Sequence, residues 1–176
     1  AKQVGRKCLA VNLSDMAAMG ARPVAAVVSL MLPATSSPAL AQQLLAGMLP
    51  LAAQFDTAIV GGDTNVWNAT DGRLVVSVTV FGTLTKRGPI VRSGAQIGDR
   101  LFVTGTLGGS LLGHHLDFTP RVAEALWLHE KWTIHAAMDI SDGLALDASR
   151  LGEQSHCGIE LHAANIPISD AARKME

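Results

Sequence analysis

VGRKCLAVNLSDMAAMGARPVAAVVSLMLP, residues 4–33, contains one helix, one stop signal and one strand, and the rest of the chain is read outward from it. Val4 to Met19 has helical character, Gly20 follows it and Pro23 comes soon after, the usual punctuation of a helix C-terminus. Val24 to Leu32 is apolar except for Ser29, lies between two prolines and reads as a buried strand. Val4, Cys8, Val11, Asp15 and Ala18 follow helical spacing, which places Asp15 on the stripe expected to face a core. An unpaired ionised carboxylate there is costly. Either a hydrogen-bond network with Asn12 and Ser14 or a cation must compensate it.

After this unit, Ser36-Ser37-Pro38 supplies an N-cap and an early proline for a helix to about Gln54. Thr57 to Val60 reads as a short strand ending abruptly at Gly61-Gly62-Asp63-Thr64. From Leu74 to Leu84, Val76, Val78 and Val80 alternate with Ser77 and Thr79, the pattern of a half-buried antiparallel strand. Lys86-Arg87-Gly88-Pro89 is polar and turn-rich, and a domain boundary is expected there, dividing 1–88 from 89–176. In the second part, strands are expected at Arg100 to Thr104, Ala136 to Ile140 and Gly158 to Leu161. Helices are expected near Gly105 to Gly113, from Thr119-Pro120 to about Lys131, and from Gly143 to Gln154. Ser169-Asp170 opens a further helix. Because the chain begins with Ala1 and stops about two turns into that helix, it is expected to be an internal piece of a longer protein.

Of 176 residues, 48% are hydrophobic but only 4% aromatic, which suits helices packed on sheets and an α/β or α+β class. A net charge of -1 gives no basic surplus to neutralise a phosphate backbone, so nucleic acid is not an expected partner. The run from Val24 to Leu32 is far short of the roughly 20 residues that span a bilayer, so no membrane partner is expected. Cys8 and Cys157 stand in no metal-like spacing and read as two small buried hydrophobes. His114, His115, His129 and His135 match no zinc ligand set, lack an orienting carboxylate and are expected at the surface or at helix ends.

The chemistry concentrates in aspartates. Asp63 follows two glycines that allow close backbone approach to a ligand; as a bland alternative it is a turn residue. In Asp139-Ile140-Ser141-Asp142-Gly143 a strand gives way to a helix whose free N–H groups attract a phosphate oxygen, while the two carboxylates suit a cation. Alternatively Ser141 or Asp142 simply caps that helix, and Asp15 is a satisfied core aspartate. Taken together, carboxylates from a helix and two strand ends fit hard divalent cations bound through oxygen and a substrate's phosphates. No Walker-type loop with its lysine occurs, so nucleotide would be held largely through metal.

Asn12-Leu13-Ser14-Asp15-Met16-Ala17-Ala18-Met19-Gly20-Ala21-Arg22-Pro23 resembles the helix motif of thiamine-monophosphate kinases. Gly61-Gly62-Asp63-Thr64, Val91-Arg92-Ser93-Gly94-Ala95 and Asp139-Ile140-Ser141-Asp142-Gly143-Leu144 follow in that family's order. The resemblance implies a two-domain α+β fold shared with aminoimidazole ribonucleotide synthetase. Its N-terminal domain would carry a mixed or antiparallel sheet with helices, and its α/β C-terminal domain would be incomplete here. It implies ATP-dependent, Mg²⁺-dependent phosphorylation of thiamine monophosphate by a cytoplasmic homodimer joined through the N-terminal domain. Asp15, Asp63, Asp139 and Asp142 would be metal ligands, with Asp142 also assigned the catalytic role. Gly62, Asp63, Arg92 and Ser141 would contact ATP, and Phe55 stands where the family often has a tyrosine near the nucleotide. Asn65 replaces a common threonine. An acidic Gly-Asp-Asp motif is expected before Ala1, and further substrate contacts beyond Glu176. Another synthetase of the superfamily, or a non-catalytic ATP- or Mg²⁺-binding module, is the alternative.

Overall fold

The computed structural model describes residues 1–69 and 71–175. Helix α1 (Lys2–Ala18) leads through Gly20 into strand β1 (Ala21–Leu32), as residues 4–33 predict. Helix α2 (Ala39–Gln54), strand β2 (Ala58–Val66) and strand β3 (Val75–Leu84) complete a first layer pair. β1 is central, parallel to β2 on one side and antiparallel to β3 on the other.

β1 buries Ala21 and Pro23, then changes phase and buries Ala26, Val28, Leu30 and Leu32. Strand side chains alternate with a period of two, so that change needs one extra residue. A bulge between Pro23 and Ala25 in the pairing with β3 supplies it. The inward side chains of β1 meet Leu9 and Leu13 of α1 and Leu44 and Met48 of α2, all four with no exposed surface. Each such side chain contributes about 1.5–3 kcal/mol through burial. The two helices lie in backbone contact: a methyl added at Gly5 would fall 2.0 Å from the Leu44 carbonyl oxygen, and one at Gly47 would fall 1.9 Å from that of Lys2.

The core stripe of α1 is Gly5, Leu9, Leu13 and Ala17. Asp15 is therefore not on it, a correction to the spacing argument. Val4 and Val11, which share the Asp15 stripe, are likewise exposed. Both stripes have helical periodicity, and only contact with β1 decides which one is covered.

β2 does not stop at Gly61 but runs through Gly61-Gly62-Asp63-Thr64 to Val66, paired along its length with β1. The glycines are accommodated because the strands approach closely: a Cβ on Gly62, whose φ is +155°, would lie 1.8 Å from the Val28 carbonyl oxygen. β3 shows the expected alternation, with Val76, Val78 and Val80 packed against the core.

Beyond Leu84 comes the short helix α3 (His114–Asp117), which lies past the expected Gly105 to Gly113, then α4 (Val122–Lys131), α5 (Leu144–Ser155) and α6 (Asp170–Arg173), close to the expected helices. The strands expected at Arg100 to Thr104, Ala136 to Ile140 and Gly158 to Leu161 are not formed among the described residues. A strand needs a neighbour for its N–H and C=O groups. These segments make only isolated links, such as Ala137 N–H to Val91 O at 3.1 Å. Ser169 caps α6 as anticipated, accepting the Ala172 N–H.

Candidate active site

The end of α1 meets the Asp139 segment through a direct hydrogen bond, Ser14 Oγ donating to Asp139 Oδ2 at 3.1 Å. Ser14 and Asp15 are consecutive on the last turns of the helix, which sets Asp15 beside Asp139. Partial desolvation, and then the negative charge of Asp139, push the carboxyl of the exposed Asp15 above its usual range, while the Arg92 guanidinium pulls it down. Arg92 belongs to a turn clipped by the C-terminal end of α5. Ser155 Oγ donates to the Arg92 carbonyl at 2.7 Å and accepts the Ala95 N–H at 3.1 Å. Two carboxylates and one guanidinium from three distant parts of the sequence are thus brought together.

At the other end of α5, Asp147 is almost completely buried. Its Oδ2 accepts the backbone N–H groups of Ser141, Asp142 and Gly143, each at 3.0 Å. Its Oδ1 accepts from Arg150 at 3.1 Å, and Arg150 also pairs with the exposed Asp142. The donors at the start of α5, expected to be free for phosphate, are therefore engaged by the helix's own carboxylate. Sequence reasoning missed Asp147. Its signal was present, a carboxylate one position before Ala148 and four before Leu151 on an otherwise apolar face.

Asp63 is carried by β2. It pairs with Ser29 on β1, on the sheet positions that alternate with the buried ones, and its oxygens accept the Thr64 N–H at 2.8 Å and the Asn65 amide at 2.6 Å. Asn65, the departure from the family pattern, thus has a local partner. Phe55 ends α2 and packs its ring partly against the core. Ser141 is exposed at the mouth of α5, and Gly62 is also exposed, with its backbone close against that of Val28 as described.

Among the described residues no three His, Cys, Asp or Glu side chains are gathered closely enough to enclose a metal ion. The structure joins Asp15 to Asp139, and Asp142 to Arg150, but does not bring all four predicted ligands to one point. The donor chemistry nonetheless fits a hard cation. All four are carboxylates, and the crowded Asp15–Asp139 pair gains from a positive charge placed between them.

His129 stands at the end of α4, as expected, although not at the surface, and the reading of His135 is corrected. His129 is buried, its Nε2 bonded to the Gly88 carbonyl at 3.0 Å, and its Nδ1 has no partner. His135 does have an orienting carboxylate, Asp99, at 2.9 Å from Nδ1. Neither cysteine is bridged, and both are only half-buried.

Residues 1–84 match the family of AIR synthase related proteins, N-terminal domain. The chain is 46% identical over 171 residues to a thiamine-monophosphate kinase of Rhodopirellula baltica, covering 97% of this chain and 52% of the relative. This chain is a homologue of the thiamine-monophosphate kinases. It superposes on the thiamine-monophosphate kinase of Stenotrophomonas maltophilia K279a with a TM-score of 0.87 at 36% identity, over 99% of this chain and 61% of that one. A further match, AaThiL complexed with AMPPCP and TMP, gives a TM-score of 0.88 at 29% identity, over 98% of this chain and 60% of that one. The chain spans about half the length of the curated thiamine-monophosphate kinases it matches. The expected α+β, AIR-synthase-like fold is therefore present, with helices on a small mixed sheet.

Proposed function

We propose that the protein phosphorylates thiamine monophosphate to thiamine diphosphate, with ATP as donor and Mg²⁺ as cofactor. The observation that carries this reading is the meeting of Asp15, Asp139 and Arg92 across three separate segments, in a chain so similar to thiamine-monophosphate kinases. A relative complexed with AMPPCP and TMP supports ATP and thiamine monophosphate as the two phosphorylated ligands.

In this reading Asp15, Asp139, Asp142 and Asp63 hold the metal, and Asp142 is the residue on which turnover depends most. Bound Mg²⁺ supplies positive charge that lets two polyanions approach and steadies the phosphoryl group in flight. Ser14 orients Asp139 by its hydrogen bond. Arg92 offers charge-assisted hydrogen bonds to a phosphate, and its attraction to Asp15 keeps it near the carboxylates. The acceptor is an oxygen of the substrate's own phosphate, largely ionised near neutral pH, so the protein needs no general base. What the residues contribute is alignment and electrostatic stabilisation. Ser141, Gly62 and Phe55 complete the proposed nucleotide contacts.

We further place the two domains at 1–88 and 89–176, the dimer contact on the N-terminal sheet and the enzyme in the cytoplasm. The sheet carries exposed Val60, Val75 and Phe81. Among the described residues no helix is long and apolar enough to cross a membrane.

The test is ADP release by the full-length enzyme in the presence of Mg²⁺ and thiamine monophosphate. Asp142→Asn is expected to lower it about 100-fold or more with an unchanged circular dichroism spectrum. ADP release triggered instead by a selenium or aminoimidazole-type substrate would assign the protein to another synthetase. Nucleotide binding without any turnover would make it a binding module.

A further inference from the structure

We propose that Asp147 is a positioning residue that converts the start of α5 from an anion-binding helix terminus into the support of a cation-holding loop. This inference rests on the reading of Asp139 and Asp142 as metal ligands and goes beyond it by assigning a residue that touches neither substrate nor metal.

A helix N-terminus ordinarily presents unpaired N–H groups and a partial positive charge, a ready site for phosphate. Here the three N–H groups of Ser141, Asp142 and Gly143 converge on one oxygen, Asp147 Oδ2, at 3.0 Å each. With its donors occupied and a full negative charge seated among them, this terminus has little left to attract an anion. The side chain retains 1% of its exposure, so the interaction is little screened by water.

The same three bonds fix the backbone on which Asp142 is carried and which leads back to Asp139. Arg150 extends the control to the side chain. It donates to Asp147 Oδ1 at 3.1 Å and to the Asp142 carboxylate, so the buried acid, the guanidinium and the exposed acid form one chain. Asp139 is held from the opposite side by Ser14. Both proposed ligands of this loop are thereby oriented by neighbours, the kind of support whose loss typically costs 10–100-fold in metal affinity.

The experiment measures Mn²⁺ binding by paramagnetic resonance and inorganic phosphate binding by calorimetry. The 176-residue chain is compared with Asp147→Asn, Asp147→Ala and Asp142→Asn, with thermal melts on each. Asn keeps an acceptor for the three N–H groups but loses the charge, and Ala loses both. Asp147→Asn is expected to weaken Mn²⁺ binding about tenfold. In Asp147→Ala the loss should be larger and phosphate binding should appear, because the helix donors are released. If Asp147→Ala does not melt cooperatively, Asp147→Asn carries the test. A merely structural role would lower the melting temperature of Asp147→Asn while leaving Mn²⁺ binding within twofold of the parent, and that result overturns the proposal. If Asp142→Asn also binds Mn²⁺ as the parent does, the metal-site reading itself fails and this inference falls with it. Weakened binding in Asp142→Asn alone refutes only the role of Asp147.

Discussion

Residues 1–84 and residues 90–175 are held by opposite means. In the first region the large side chains with no exposed surface are Leu9, Leu13, Leu44 and Met48, packed between two helices and a hydrogen-bonded sheet. In the second the largest fully buried side chain is a carboxylate, Asp147, and segments are joined by side-chain clips such as Ser155 to Arg92 and His135 to Asp99. Packing makes the first region a rigid platform. Polar clips shape the loops of the second, and loops on a rigid support are where binding residues concentrate.

The largest effects should come from breaking the platform. Gly62→Ala forces a Cβ against the Val28 carbonyl and should cost about 3 kcal/mol or more, read as a lowered urea midpoint. Leu13→Ala, at a site with no exposed surface, should cost about 2–5 kcal/mol. Leu151→Ala in α5 should fall at or below about 2 kcal/mol, because its surroundings are looser and can collapse. Equal costs at Leu13 and Leu151 would erase the distinction between the two regions.

Smaller effects should mark the polar side. The Asp15 carboxyl is raised by partial desolvation and by Asp139, so the folded state binds a proton more tightly than the unfolded chain does. Stability of the metal-free protein should therefore decline as pH rises from the ordinary Asp value, about 3.9, through the raised one. Asp15→Asn should abolish that decline and melt slightly higher than the parent at pH 7. Asp99 is shifted the other way, lowered by the Gln96 N–H and then by His135. Its contribution is present above the ordinary Asp value and lost as pH falls through the lowered one. Asp99→Asn should show a small loss at pH 7 that vanishes in acid, followed by thermal melts at both conditions.

Residues 4–33 were legible because helix and strand signals there are local: a helix former run, a glycine stop, and an apolar run between prolines. The α2, α4 and α5 helices were legible from local turn signals, although their N-caps are Pro38, Arg121 and Gly143 and none makes a side-chain cap hydrogen bond. Of the candidate site, the aspartates stood out as carboxylates in apolar or glycine-rich settings. Their grouping did not, since Asp15 and Asp139 meet only because Ser14 reaches across 125 positions of sequence.

The sequence by itself determined where the longer helices lie and which residue types could carry metal or phosphate, since backbone preferences and side-chain chemistry act within a few residues. Tertiary structure alone decided which stripe of α1 is buried, that β2 continues through its glycines, and that Asp147 fills the α5 terminus. Each depends on a neighbour distant in the chain, a facing side chain or a free backbone donor, that no local pattern specifies.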